Sequence, residues 1–191
     1  KIPYYELTHE GKKIYVVCAV GHLYTVAEKD KKKWTYPVFA MEWRPSYEVS
    51  KGAAFTKPYV ALIKKVSQEA DEFVVACDFD LEGETIGFNI LRFACGKKDA
   101  MRMKFSTTTR EDLRAAYGAL ITHLDQGLVE AGITRHELDW LFGINLSRAL
   151  TLSIKHATGL FKILSSGRVQ GPTLKILAER EIAEPEAELS P

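Results

Sequence analysis

The strongest constraint on the fold lies between residues 73 and 96, where an apolar run, an acidic loop and a second apolar run follow one another without a break. Phe73 to Cys77 (Phe-Val-Val-Ala-Cys) is rich in β-branched residues and predicts a buried strand. Asp78-Phe79-Asp80-Leu81-Glu82-Gly83-Glu84 then places four carboxylates within seven residues. Thr85 to Cys95, with Ile86, Phe88, Ile90, Leu91 and Phe93, predicts a mostly apolar helix stopped by Gly96. A strand, a polar loop and a helix in this order make an α/β unit. In open sheets of that class, ligand sites gather at the carboxyl ends of strands, where this loop falls.

The flanking segments extend the pattern. Lys13 to Val20 reads as another buried strand, closed by Gly21. Asp30 to Pro58, with three prolines and two tryptophans, reads as irregular apart from a short strand at 37–43. Leu62, Ile63 and Val66 share a face of a helix over 59–70, and Met101 to Phe105 supplies a third strand. A largely parallel sheet is expected. After Ser106 the pattern turns helical. Thr109 to Asp112 fits a capping box, followed by Leu113, Tyr117, Leu120, Ile121 and Leu124 at helical spacing. Thr134 to Glu137 is a second box, predicting a long helix to His156, and Ser165 or Ser166 caps a last helix reaching Glu181. The reading divides the chain at residue 106: 1–106 α/β, 107–191 helical.

Composition narrows the class without naming a partner. A chain of 191 residues with 46% hydrophobic content can bury a core, and a net charge of +1 does not mark a nucleic-acid binder. Lys31 to Lys33 and the run Lys97, Lys98, Arg102 and Lys104 are basic, but such runs are usually solvated. Cys18, Cys77 and Cys95 have no CxxC spacing, and each follows apolar residues, so they are expected to be small buried hydrophobes in a reducing cytoplasm. No apolar run approaches membrane-span length. The opening Lys1-Ile2-Pro3 and the acidic tail 184–191 are expected to be internal points of a longer protein.

Four clustered carboxylates need an explanation. Two of them about 4 Å apart repel by about 4 kcal/mol at an effective dielectric near 20. The cluster spreads into solvent, takes up protons or holds a cation, and hard oxygen donors on a short loop suit Mg²⁺. Acidic residues also favour a helix amino terminus without binding anything, and that alternative stays open on spacing alone. An EF-hand does not fit, because its ninth and twelfth positions would be Ile86 and Asn89. A glycosidase-type acid/base pair has no support elsewhere.

Asp78-x-Asp80-x-Glu82-Gly83-Glu84 is similar to the acidic motif of the Toprim domain found in type IA DNA topoisomerases, primases and some nucleases. Ala131 to Thr151 resembles the long helix of the type IA helical domain, and Ser165 to Leu174 (SSGRVQGPTL) resembles that family's SxGRVQxPTL signature. Ala19 to Leu23 and Phe105 to Thr109 match flanking segments, all in family order over nearly the whole chain. The residues around the loop look most like archaeal members. The resemblance implies a Toprim-like Rossmannoid sheet over 1–106 without its first strand, then the beginning of the helical domain over 107–191. It implies an ATP-independent parent enzyme that relaxes negatively supercoiled DNA by cutting one strand through a 5′-phosphotyrosine, passing the other and resealing. By the same carry-over Asp78, Asp80 and Glu82 hold Mg²⁺, with Glu84 supporting the helix start. Arg135, Asp139, Ser165, Arg168 and Gln170 contact the single-stranded segment. Taken without the family, Arg135–Asp139 is a surface ion pair worth under about 1 kcal/mol and Arg168 an ordinary exposed side chain. A monomeric, cytoplasmic, nucleoid-associated parent with DNA and no membrane as partner is expected.

The chain departs from the family pattern in several places. Ala27-Glu28-Lys29 is the one echo of the family's opening glutamate-lysine pair, but it follows Gly21-His22-Leu23-Tyr24 and its order is wrong. None of the eight tyrosines lies after Tyr117, so the nucleophile is absent and these residues alone are expected to be inactive. Leu81 stands where many relatives carry arginine, and no zinc ribbon is seen. The alternatives are a Toprim nuclease or primase-like protein, or a non-catalytic DNA-binding domain.

Overall fold

The computed structural model describes residues 2–30 and 33–183; Lys31 and Lys32 of the first basic run, Lys1 and the acidic tail 184–191 lie outside them. The chain forms two compact units, one from residues 1–27 and 42–136, the other from 28–41 and 137–191.

The first unit opens on a hairpin, β1 (Tyr5–His9) paired antiparallel with β2 (Lys12–Val16). The turn is made by Glu10 and Gly11 with φ of 50° and 77°, which glycine adopts without steric cost. This corrects the expectation of a buried strand at 13–20. The ribbon is largely exposed, Val16 at 48%, and Lys12 and Lys13 are tied to Glu72 and Glu6. The apolar residues that predicted burial do their packing after the strand, where Val17, Ala19 and Val20 lie against the core of Leu23, Tyr24, Val60 and Ile63. Cys18 is exposed rather than buried, whereas Cys77 and Cys95 are half-buried and burial pushes both thiols up.

β3 (Tyr24–Glu28) pairs with β4 (Met41–Pro45), which overlaps the strand expected at 37–43 but starts four residues later and ends two later. α1 (Ser46–Val49), a 3₁₀ segment (Lys51–Thr56) and α2 (Lys57–Ser67) follow. α2 matches the predicted 59–70 closely, with Val60 and Ile63 as its buried face.

β5 (Val74–Val75) and β6 (Met101–Arg102) pair in parallel, each reduced to two residues. The described sheets are three two-stranded pairs, so the expected largely parallel sheet is replaced by small ones. Val75 is the buried member, packed with Leu91, Ala100, Leu124 and Val129. α3 runs Leu81–Ile90 and continues as a π turn, Leu91–Cys95, ended by Gly96 in the left-handed region. The helix therefore starts four residues before the predicted Thr85, because the Asp80 side chain accepts the Gly83 N–H at 2.7 Å and caps it. The first-turn acids are part of the helix.

α4 (Arg110–Gly118) begins as expected, with Thr109 accepting from the Asp112 N–H, but ends before Leu120. Ile121 instead bridges Arg102, and Leu124 joins the core. α5 spans Gln126–Thr158, and Asp125 caps it by accepting the Leu128 N–H at 3.1 Å. Thr134 is thus inside the helix rather than at its start. The capping-box pattern there is a coincidence of sequence, overridden by the earlier cap. α5 contributes its residues up to His136 to the first unit and those from Glu137 to the second.

In the second unit Arg148 of α5 is buried and donates to Glu28 (2.5 Å) and to the Thr35 carbonyl (2.8 Å), while Asn145 exchanges hydrogen bonds with the backbone of Val38. The segment 28–41 is held to the helix this way. Ser147 and Ser166 are joined through the Ser147 hydroxyl, and buried Thr151 accepts the Leu164 N–H. The last helix, α6 (Gln170–Ala183), starts four residues after Ser166. Pro172 falls in its first turn, where proline is tolerated.

Candidate functional site

The acidic loop is positioned by one buried ion pair. Arg102 at the end of β6 donates from Nε to Glu84 Oε2 at 2.6 Å, with both side chains fully buried. Its other nitrogens donate to the carbonyls of Cys77 (2.8 Å), Asp78 (2.7 Å) and Met103 (2.7 Å). Glu84 accepts from the Asp125 N–H through its second oxygen at 2.7 Å. The fourth carboxylate of the cluster is therefore occupied in tying α3 to β6 and to the start of α5. It supports the loop from behind.

Gly83 completes the arrangement. A Cβ there would run into the Asp78 carbonyl, so helix α3 can begin this close to the end of the strand only with glycine at that position. The loop consequently holds Asp78 and Asp80 at the surface on a backbone pinned by Arg102 and by the Gly83 amide. One oxygen of Asp80 serves as the helix cap.

Glu82 is treated differently. Its Oε2 is 2.8 Å from His22 Nε2 and 2.9 Å from His136 Nε2, and its Oε1 is 3.2 Å from Arg135 Nη1. Burial, then the nearness of His136, lowers the His22 pKa against a smaller opposing pull from Glu82. Burial alone would raise the Glu82 carboxyl, but the hydrogen bonds and charge of His136 and then His22 outweigh it and hold the group below its usual range. The two shifts describe one state. Glu82 is ionised and only accepts, so each Nε2 at these distances carries the proton. Within the first unit, His22, Glu82 and His136 bring their ligand atoms within 4.8 Å of one another, a group that does not include Asp78 or Asp80.

Of the remaining predicted residues, Arg135 adjoins the acidic loop, half-exposed beside Glu82. In the second unit Arg168 Nε donates to Asp139 Oδ1 at 2.6 Å, both side chains 42% exposed. Ser165 and Gln170 are exposed, and Ser166 is engaged through its backbone by Ser147. His22 and His136 were not singled out from sequence. They are 114 positions apart, and no spacing rule joins them.

Two family profiles match the chain. A Toprim domain profile matches residues 6–108, and a DNA topoisomerase profile matches residues 123–187. The chain is 50% identical over 182 residues to DNA topoisomerase 1 of Pyrococcus furiosus, covering 94% of this chain and 17% of that protein. It is 50% identical to DNA topoisomerase 1 of Pyrococcus horikoshii (94% and 26%) and 49% identical to that of Methanocaldococcus jannaschii (95% and 24%). The chain thus spans about a quarter or less of the length of the curated relatives it matches. No described helix is long and apolar enough to cross a membrane. With a Toprim profile over more than half its length and a topoisomerase profile beyond it, the chain belongs to the type IA DNA topoisomerase family.

Proposed function

We propose that these residues are the cation- and phosphate-handling part of a type IA topoisomerase whose whole chain relaxes negatively supercoiled DNA by transient single-strand cleavage, strand passage and religation without ATP. The observation that carries the reading is the acidic loop, with Asp78 and Asp80 exposed on a backbone fixed by Arg102 and the Asp80–Gly83 cap. The domain division proposed is 1–106 and 107–191.

The donor set fits Mg²⁺. Asp78 and Asp80 offer hard oxygens at the surface, and Mg²⁺ commonly takes one or two carboxylates and completes its shell with water and phosphate oxygens. Glu82 is the third proposed ligand and would release a histidine contact to take part. When bound, Mg²⁺ supplies a positive charge that holds the DNA phosphates close to the acids. The chain's own residues do the rest. Arg102 keeps the loop carbonyls turned inward, Asp80 keeps α3 in place, and Arg135, Asp139, Ser165, Arg168 and Gln170 bind the single strand, with Arg168 supplying a guanidinium for phosphate. None of the eight tyrosines follows Tyr117, so the cutting tyrosine is proposed to come from another part of the parent, and these 191 residues alone do not cut. A monomeric parent acting at the nucleoid in the cytoplasm completes the reading. The topoisomerase profile over 123–187 favours it over a Toprim nuclease or primase.

Two measurements test it. Mg²⁺ is expected to raise the melting temperature of the 191-residue chain, and Asp78→Asn with Asp80→Asn to abolish that rise. Unchanged stabilisation would overturn the cation assignment. Incubation of the same chain with a supercoiled plasmid is expected to leave it supercoiled; relaxation would overturn the proposed incompleteness.

A further inference from the structure

We infer that His22, Glu82 and His136 form a binding site for a borderline divalent transition-metal ion of the Zn²⁺ class. The site goes beyond the Mg²⁺ reading and shares only Glu82 with it.

Three separate segments fix the trio. His22 follows Gly21, whose φ is 89°, and its carbonyl accepts the Ser46 hydroxyl at 2.9 Å, next to fully buried Leu23. Glu82 is in the first turn of α3, and His136 is on α5. Both histidines are half-buried, their ring centroids 4.6 Å apart and tilted at 58°, and Trp43 packs edge-on to His136 at 5.9 Å. The rings thus converge on one carboxylate oxygen from two sides of the chain with limited freedom to turn away.

The spacing suits a metal. Bonds of roughly 2.0–2.1 Å in a tetrahedral centre set neighbouring donors roughly 3.3 Å apart. The present contacts of 2.8 and 2.9 Å need to open by only about half an ångström. Each histidine then shifts its proton from Nε2 to Nδ1, which leaves the imidazoles neutral and frees both Nε2 lone pairs. Glu82 binds through Oε2 while Arg135 stays on Oε1, and a fourth position remains for water.

The donor chemistry selects the ion. Arg135 offsets the charge of Glu82, so the trio offers little net negative charge to a hard cation. Imidazole nitrogens favour zinc, cobalt, nickel and copper over magnesium. An ion bound here also removes Glu82 from the acidic loop, so Zn²⁺ and Mg²⁺ compete for that residue.

The test uses Co²⁺, whose visible d–d absorption reports nitrogen and oxygen coordination, added to the metal-free 191-residue chain. A saturable spectrum that one equivalent of Zn²⁺ bleaches is expected. His22→Gln and His136→Gln are each expected to weaken binding by at least about 10- to 100-fold, the loss typical of an outer-shell partner alone. Asp78→Asn with Asp80→Asn, which removes the proposed Mg²⁺ response, is expected to leave the Co²⁺ spectrum intact. In the unaltered chain, Zn²⁺ should shift the Nε2 NMR resonances of two of the five histidines, His22 and His136. A spectrum lost in the Asp78/Asp80 variant, insensitive to both histidine variants, or matched by shifts at His9, His123 or His156 would overturn the site. No Co²⁺ spectrum at all would overturn it equally, whatever the Mg²⁺ result.

Discussion

Arg102 and Glu84 meet at 2.6 Å with no solvent exposure on either side chain, and between them they satisfy backbone groups just after β5 (Cys77), just after β6 (Met103) and just before α5 (Asp125). Removing one member leaves a buried charge without its counter-ion. Glu84→Ala and Arg102→Met are each expected to cost about 3–5 kcal/mol, while the double variant costs clearly less than the sum. Urea unfolding of the three variants checks this, and additive losses would contradict the coupling.

Gly83 faces the Asp78 carbonyl so closely that any Cβ forces backbone to move. Gly83→Ala is expected to cost about 1–3 kcal/mol and to lower the Mg²⁺-induced rise in melting temperature with it. Gly143→Ala, inside α5 where a Cβ meets open space, serves as the control and should stabilise by about 0.5–1 kcal/mol without changing the Mg²⁺-induced rise. Thermal melts with and without Mg²⁺ read both effects.

Arg148 anchors the 28–41 segment to α5 through Glu28 and Thr35. Arg148→Met is expected to expose that segment to trypsin at Lys29 or Lys33 at least about tenfold faster, in keeping with loss of a partner for the largely covered Glu28. Timed digestion followed by mass spectrometry measures the rates. Equal rates would show that other contacts hold the segment.

Acid should weaken the fold through carboxylates held below their usual range, among them Glu82, Asp99 and Asp112. Asp99 is lowered chiefly by the Leu124 amide, Asp112 by the Thr107 amide. A depressed folded-state pKa gives stability that is complete above the unfolded value, about 3.9, and fades as pH falls toward the folded value. The melting temperature should therefore hold above about pH 5 and drop below about pH 4, and Asp99→Asn should flatten the drop. A scan of melting temperature against pH decides it.

Much of this was legible in the residues themselves. The order of strand, acidic loop and helix at 73–96, the capping of α4 by Thr109 and the stop at Gly96 follow from local chemistry and appear where local chemistry puts them. What failed depended on distant partners. Burial of the 13–16 strand required a covering layer that the hairpin does not meet. Asp80, expected as a cation ligand, also caps α3 through the Gly83 amide three residues on, a local contact that placed the helix start earlier than its apolar pattern suggests. Glu28, which its order sets apart from the family's opening pair, is the partner of an arginine 120 positions away, a pairing no local pattern foretells. The convergence of His22 and His136 on Glu82 is of the same kind, since only the folded chain brings them together.

The Asp80 cap has a further consequence for the choice of ion. One of its oxygens accepts the Gly83 N–H, so the other is the more available to an approaching ion. A small ion content with one oxygen per carboxylate leaves α3 untouched. A larger ion such as Ca²⁺, which often grips a carboxylate by both oxygens, would compete with the Gly83 amide for the second one. At the proposed cation site, the cap would bias the loop toward ions that take one oxygen per carboxylate, because a helix already uses one oxygen of Asp80.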